Sequence, residues 1–303
     1  MQKLHRGNKI RASGSDRAFA GVLYALTILF VLIILYPLVF VFSASISNPM
    51  EVFAGRVWLF PRDIQFEAYK QVFRNNEIFT GYRNTIVYTC LGTLVSIVLT
   101  LSAAYPLSRK KMYGRNIIMF YFTFTMFFSG GLIPTYLVVK GMGLYNNLWV
   151  MILVGSVSVY NMIVARTFMQ NTISDELYEA AEIDGCSDIP AFFKVALPLC
   201  APIIAVLVLF YAVGYWNSYF NALIYLSDRA RYPLQLFLRE ILLINMADSM
   251  VDSMEMDMDI SKFMVSESLK YAVIIVSSIP MLILYPFLQR FFVKGVMIGA
   301  IKG

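Results

Sequence analysis

The sequence predicts an all-α membrane protein with six transmembrane helices and a cytoplasmic loop that carries a helix of its own. Three observations predict it. The 303-residue chain is 59% hydrophobic and 15% charged, with a mean hydropathy of +0.66, too apolar for a soluble protein of this length. Six charge-free runs, 18–42, 84–108, 116–139, 141–165, 195–227 and 271–289, each reach the length of about 20 residues that a helix needs to cross roughly 30 Å of hydrocarbon. Finally, Lys and Arg gather on one side of those runs.

The first run ends at the polar SASISNP and exceeds the roughly 7–15 apolar residues of a signal peptide, so it is expected to stay as an anchor. In the third, Gly130, Gly131 and Pro134 weaken the helix, a feature that bilayers tolerate where protein or a cavity shields the backbone. The fifth run would extend about 50 Å as one helix, placing its ends outside the hydrocarbon. Residues 1–17 are then a cytoplasmic segment, 18–290 the six-helix domain with its inner loop at 174–198, and 291–303 a cytoplasmic tail.

With both termini inside, the inner segments 1–17, 109–115, 166–194 and 290–303 carry 14 Lys/Arg against 7 Asp/Glu, and the outer segments 11 against 12. Lys and Arg are retained on the cytoplasmic side, and RKKMYGR (109–115) is the densest such segment. The net charge of +6 is therefore an orientation signal that favours anionic inner-leaflet lipid, and no nucleic-acid partner is needed to explain it.

Much chemistry is excluded. His5 is the only histidine, which leaves no histidine zinc site and no Ser/His or Cys/His nucleophile pair. There is no G-x-x-x-x-G-K-[ST] phosphate loop. Cys90, Cys186 and Cys200 are odd in number and scattered, so no disulfide framework is implied. In EMDMDIS (255–261), Glu255, Asp257 and Asp259 alternate, but without the glycine of a calcium loop the stretch reads as solvated acids, not a metal site. Gly295 and Gly299 have the spacing of close helix packing, yet they follow the last run and read as part of the tail. The outer segment 228–270 contains LQLFLREILLI, which rests on the membrane interface or meets an external partner.

The inner loop is the most informative piece. From Asp175 to Gly185 it packs five carboxylates into eleven residues. Ser174 stands as N-cap, Asp175 and Glu176 lie in the first turn where the helix dipole favours negative charge, and Gly185 is a stop signal. Leu177, Ala180, Ala181 and Asp184 share a face by their spacing, a stripe of small side chains beside acids. CSDIPAFFKVALP then restarts a helix, with Ser187 or Asp188 as cap, Pro190 near the start and a halt at Pro198. Two readings fit: an amphipathic connector on the membrane surface, or a plug for a groove on a soluble partner.

Glu179, Ala180 and Ala181, then three residues, Gly185, then nine residues, and Val195-Ala196-Leu197-Pro198 match the EAA loop of permease subunits in bacterial binding-protein-dependent ABC importers, with Val195 standing where isoleucine is usual. ILYPLVFVFSASISNP, LFPRDIQFEAYKQVF, FSGGLIPTYLVVKGMGLYNN, YWNSYFNALIYL and RYPLQ extend the resemblance over nearly the whole chain, toward the maltose-permease-like branch that takes up complex sugars.

The resemblance implies that the loop is a coupling helix seated in a cleft of a separate ATPase. Glu179, Ala180, Ala181, Asp184 and Gly185 would form the contact, the acids orienting the helix and the alanines permitting close approach. ATP and Mg would bind that ATPase; this chain would hold no cofactor and hydrolyse nothing. The implied partners are two ATPase subunits, a second and non-identical permease, an extracytoplasmic solute-binding protein and a sugar, in a bacterial cytoplasmic membrane. Tyr215, Trp216, Asn217, Tyr219 and Asn221 would line the sugar path, since aromatic faces stack on sugar rings and amides bond hydroxyls. The same residue types also serve interfacial belts and interhelical hydrogen bonds. An importer of another solute stays open, as does a secondary carrier, although no charged residue lies within a run and no internal repeat is evident.

Overall fold

The computed structural model describes residues 13–251, 268–286 and 289. EMDMDIS and the 291–303 tail lie outside the described residues. The helices in chain order are α1 (Gly14–Ser45), α2 (Pro49–Phe53), α3 (Glu67–Arg74), α4 (Asn76–Ser108), α5 (Arg115–Phe127), α6 (Leu132–Gly141), α7 (Leu148–Leu153), α8 (Val159–Thr172), α9 (Asp175–Ile183), α10 (Asp188–Leu199), α11 (Ala201–Trp216), α12 (Phe220–Tyr225), α13 (Leu234–Val251) and α14 (Ser268–Pro286). They fall into two compact units, one holding the described residues 13–70 and 268–275, the other 71–251 and 276–286.

In the first unit α1 runs unbroken, and its most apolar stretch buries nothing within the chain, as suits a helix whose solvent is lipid. SASISNP is a hydrogen-bonded stop. Ser43 Oγ donates to the Leu59 carbonyl at 2.7 Å, Ser47 Oγ to the Ser43 carbonyl at 2.6 Å, and Asn48 caps α2 by accepting from Met50 N at 2.9 Å. The Ser47 bond satisfies a carbonyl that the end of α1 leaves free, and the Asn48 bond an N–H that the start of α2 leaves free.

The second unit is built around α4. Gly81, Thr85, Gly92, Ser96, Thr100 and Ala104 are buried along it at spacings that bring small and hydroxyl side chains to one stripe, which lets neighbouring helices approach closely. α11 packs on this stripe, and α13 approaches at Gly81, where an added Cβ would stand 2.9 Å from Leu234 Cα. The start of the LQLFLREILLI segment is therefore core: Leu234, Leu236, Phe237 and Leu238 are buried, and Leu234 N donates to Thr85 Oγ1 at 2.8 Å.

The apolar runs do not all form single continuous helices. Among the described residues, α1, α4 and α14 are single helices long and apolar enough to span, and the bent pairs α5–α6 and α10–α11 raise the number to five if each is one crossing. The third run breaks where Gly130 and Gly131 stand, and α5 and α6 meet at 114°. Gly131 caps α6 with φ +83° and ψ −179°, a conformation that is essentially glycine-only; Pro134 sits in the first turn of α6, where its missing N–H is harmless. The fourth run, 141–165, is likewise two short helices, interrupted at 154–158 where Gly155 adopts φ +82°.

The fifth run is not one long helix either. α10 passes through Pro198 instead of halting there, widening into a π turn over Phe192–Ala196, because Pro198 has no N–H to return to the preceding turn. The chain breaks at Cys200, and α11 leaves at 80°.

Candidate functional site

α9 follows the local signals closely. It starts after Ser174, with Asp175 and Glu176 in its first turn; the Ser174 hydroxyl itself makes no capping bond. At the other end Gly185 takes φ +78°, Gly185 N donates to the Glu182 carbonyl at 3.1 Å and Cys186 N to the Ala181 carbonyl at 2.8 Å. This is the Schellman closure that a left-handed residue permits.

The two faces of α9 have different partners. Tyr178 and Ala181 point inward and are buried, so Ala181 is removed from the surface expected of it, three residues from Tyr178 on the packed face. Glu179, Ala180, Asp184 and Gly185 stay exposed, joined by Leu177 and by Ile183, which is 87% exposed.

Two of the exposed acids have cationic partners. Lys110 Nζ donates to Asp175 Oδ2 at 2.7 Å, Lys111 Nζ to Glu182 Oε2 at 2.8 Å, and Arg109 reaches Glu182 Oε1 at 3.3 Å. Arg109 also covers the Tyr178 ring, its guanidinium carbon 3.4 Å from the centroid. Hydrogen bonds from Lys110 and Lys111 hold the Asp175 and Glu182 carboxyls below the usual carboxylate range and raise the two lysines in return. Burial pushes the Tyr178 phenol up to about 12, so it stays neutral over Arg109. From the other side the Tyr105 hydroxyl donates to the Asp188 carbonyl at 3.2 Å. RKKMYGR is thus a clamp on α9, a function the orientation reading of that segment passes over; the signal was the stripe Asp175, Tyr178, Glu182, spaced three and four apart.

The expected pathway residues separate into two groups. The Tyr215 hydroxyl donates to the Ile152 carbonyl at 2.8 Å and meets Ser96 Oγ at 3.0 Å. Tyr211, one turn earlier, meets Thr100 Oγ1 at 2.6 Å and accepts from Ser158 N at 3.3 Å. Asn221 donates to the Val154 carbonyl at 3.4 Å. Ile152, Val154 and Ser158 bound the interruption between α7 and α8, so these side chains satisfy backbone groups that a broken helix leaves open, as a low-dielectric environment requires. Trp216 is also buried, its indole N–H donating to the Ser277 carbonyl at 3.1 Å. Tyr215, Trp216 and Asn221 are therefore committed to the protein's own packing. Asn217 and Tyr219 remain exposed, and Gln235, which the sequence reading did not single out, donates to Asn217 Oδ1 at 3.4 Å.

Among the described residues no group of His, Cys, Asp or Glu is placed to hold a metal ion. The family model described as "binding-protein-dependent transport system inner membrane component" matches residues 13–298. The chain belongs to that family. Relatives of this permease include the polygalacturonan/rhamnogalacturonan transport system permease YtcP of Bacillus subtilis, 40% identical over 95% of this chain and 99% of that one. The melibiose/raffinose/stachyose import permease MelC of the same organism is 26% identical over 81% of this chain and 84% of its own. Among solved structures, a chain of a bacterial ABC transporter involved in the import of the acidic polysaccharide alginate superposes with a TM-score of 0.81 at 34% identity, covering 94% of this permease and all of that chain.

Proposed function

We propose that this permease is one membrane subunit of an ATP-driven, binding-protein-dependent importer of oligosaccharides. α9 is its coupling helix, seated on a separate ATPase. The observation that carries this is the two-faced helix: one side is pinned by Arg109, Lys110 and Lys111, while Glu179, Ala180, Asp184 and Gly185 of the EAA spacing are exposed together with Leu177 and Ile183. A face of apolar and acidic side chains held rigidly outward suits a groove on a soluble partner. YtcP, MelC and the alginate transporter support a carbohydrate substrate. A second permease completes the pathway, a solute-binding protein delivers the sugar from outside, and both termini lie in the cytoplasm of a bacterial cell.

ATP and Mg act on the ATPase; this chain transmits the motion by rigid-body rearrangement between two packed states. The test is uptake and ATP hydrolysis by the reconstituted complex, comparing wild type with Gly185→Asp and Glu179→Ala. Sugar uptake and substrate-stimulated hydrolysis are expected to fall together while the complex still assembles. Uptake at the wild-type rate without any ATPase subunit would make the protein a secondary carrier instead.

A further inference from the structure

Where α11 ends and α13 begins, side chains meet in two successive rungs. In the first, Gln235 donates to Asn217 at 3.4 Å. In the second, the Arg239 guanidinium carbon lies 5.6 Å from the Tyr219 ring centroid. Gln235 and Arg239 are four residues apart on α13 and so share a face, while Tyr219 follows Asn217 by two residues. The first rung opens onto a groove of about 380 Å³ whose lining includes Val213, Trp216, Asn217, Gln235, Met281 and Tyr285. Tyr219 is 41% exposed, and Gln235 and Arg239 are half-buried.

The arginines at and just before α13 are unevenly matched. Arg229 is held by Glu77 at 2.8 Å and Glu240 at 3.0 Å, and Arg231 by Asp228 at 3.5 Å. Arg239, next to Glu240 in sequence, has no carboxylate within 4.0 Å among the described residues. A guanidinium does not give up its charge in a protein, and a half-buried one favours a planar anionic partner that its fork can bond twice. Tyr219 against Arg239 leaves the fork's N–H groups available.

We infer that the two rungs form a subsite for an acidic sugar unit, in which Arg239 takes a uronate carboxylate, Tyr219 stacks on the ring and the Asn217–Gln235 amides bond its hydroxyls. This rests on the importer reading and narrows its substrate class from oligosaccharides in general to uronic-acid oligosaccharides.

The test is equilibrium binding of tri-galacturonic acid and of its neutral methyl ester to the assembled transporter in nanodiscs, without solute-binding protein. The ester keeps the sugar rings and their hydroxyls, and replaces each carboxylate by a neutral group. Wild type binds the acid about tenfold more tightly than the ester, the effect of a single ionic contact of ordinary strength, and added salt narrows the gap. Arg239→Gln brings the two ligands to parity, and Arg239→Lys keeps part of the preference. Equal binding of both ligands by wild type, binding of neither, or an undiminished preference in Arg239→Gln overturns the subsite. The importer reading fails separately, if the same complex takes up no oligosaccharide of either charge with ATP; ATP-driven uptake of neutral sugars alone would sink the subsite and leave the importer standing.

Discussion

Gly92 and Tyr215 interlock across α4 and α11. A Cβ added to Gly92 would stand 2.5 Å from the Tyr215 ring, a distance no side chain tolerates, and the ring so admitted places its hydroxyl on Ser96 and on the Ile152 carbonyl. One missing methyl group thus lets a tyrosine of one helix stitch a second helix to the broken end of a third.

Gly92→Ala is expected to lower stability by about 1–3 kcal/mol through overpacking against the ring. Combining it with Tyr215→Leu, whose flexible side chain can yield, recovers part of the loss, because contacting residues are energetically coupled. Thermal unfolding of the four variants of this cycle in detergent measures it; a neutral Gly92→Ala would show that the two helices do not approach this closely.

Tyr211→Phe and Tyr215→Phe each leave a buried backbone group of the α7–α8 interruption without its partner, a cost of about 1–3 kcal/mol. Both should lower the thermal midpoint and leave the apparent affinity for transported sugar unchanged. If affinity falls at an unchanged midpoint, these hydroxyls serve the substrate and not the fold.

Lys111→Glu and Glu182→Lys should each loosen the clamp on α9, lowering uptake per ATP hydrolysed, with the double exchange restoring it. The paired carboxyls lie below their ordinary pKa, so their contribution is present above that value and is lost as pH falls through the depressed one. The paired lysines lie above theirs, so their contribution is lost as pH rises through the raised value. The clamp is accordingly unaffected by pH between about 5 and 10 but is weakened by salt, since its ions are exposed. Hydrogen-exchange protection of the Asp175–Ile183 amides across pH and ionic strength reads both effects.

Gly185→Ala forces a Cβ into the left-handed region, φ +78° in open space, at a cost of about 1–2 kcal/mol. The exit from α9 re-forms differently, and sugar uptake per ATP hydrolysed falls while co-purification with the ATPase and the yield of permease in the membrane stay close to wild type. Undiminished coupling would mean that this turn does not set the contact.

What was readable from the sequence shares a common physical origin. The solvent of the chain follows from composition, and the ends of α9 follow from Asp175, Glu176 and Gly185 because the helix dipole and a left-handed glycine act within one turn. The break at Gly130–Gly131 was readable for the same reason. The interruption of the fourth run was not: hydropathy counts apolar residues and takes no account of Gly155, whose positive φ ends a helix without lowering its hydrophobicity.

The sequence by itself determined that this is a polytopic membrane protein of the binding-protein-dependent transport family, because apolar run length and the Glu179-to-Pro198 spacing are written along the chain. Only the tertiary structure decided which polar side chains are spent inside the protein. Tyr215 and Asn221 have the chemistry of a sugar path, yet they bond Ile152 and Val154; Asp175 and Glu182 have the charge of an interface, yet they bond Lys110 and Lys111. A hydrogen-bonding group shut away from water takes the partner that is nearest, an exposed carboxylate takes the nearest cation, and both kinds of partner come from distant parts of the chain brought together by folding.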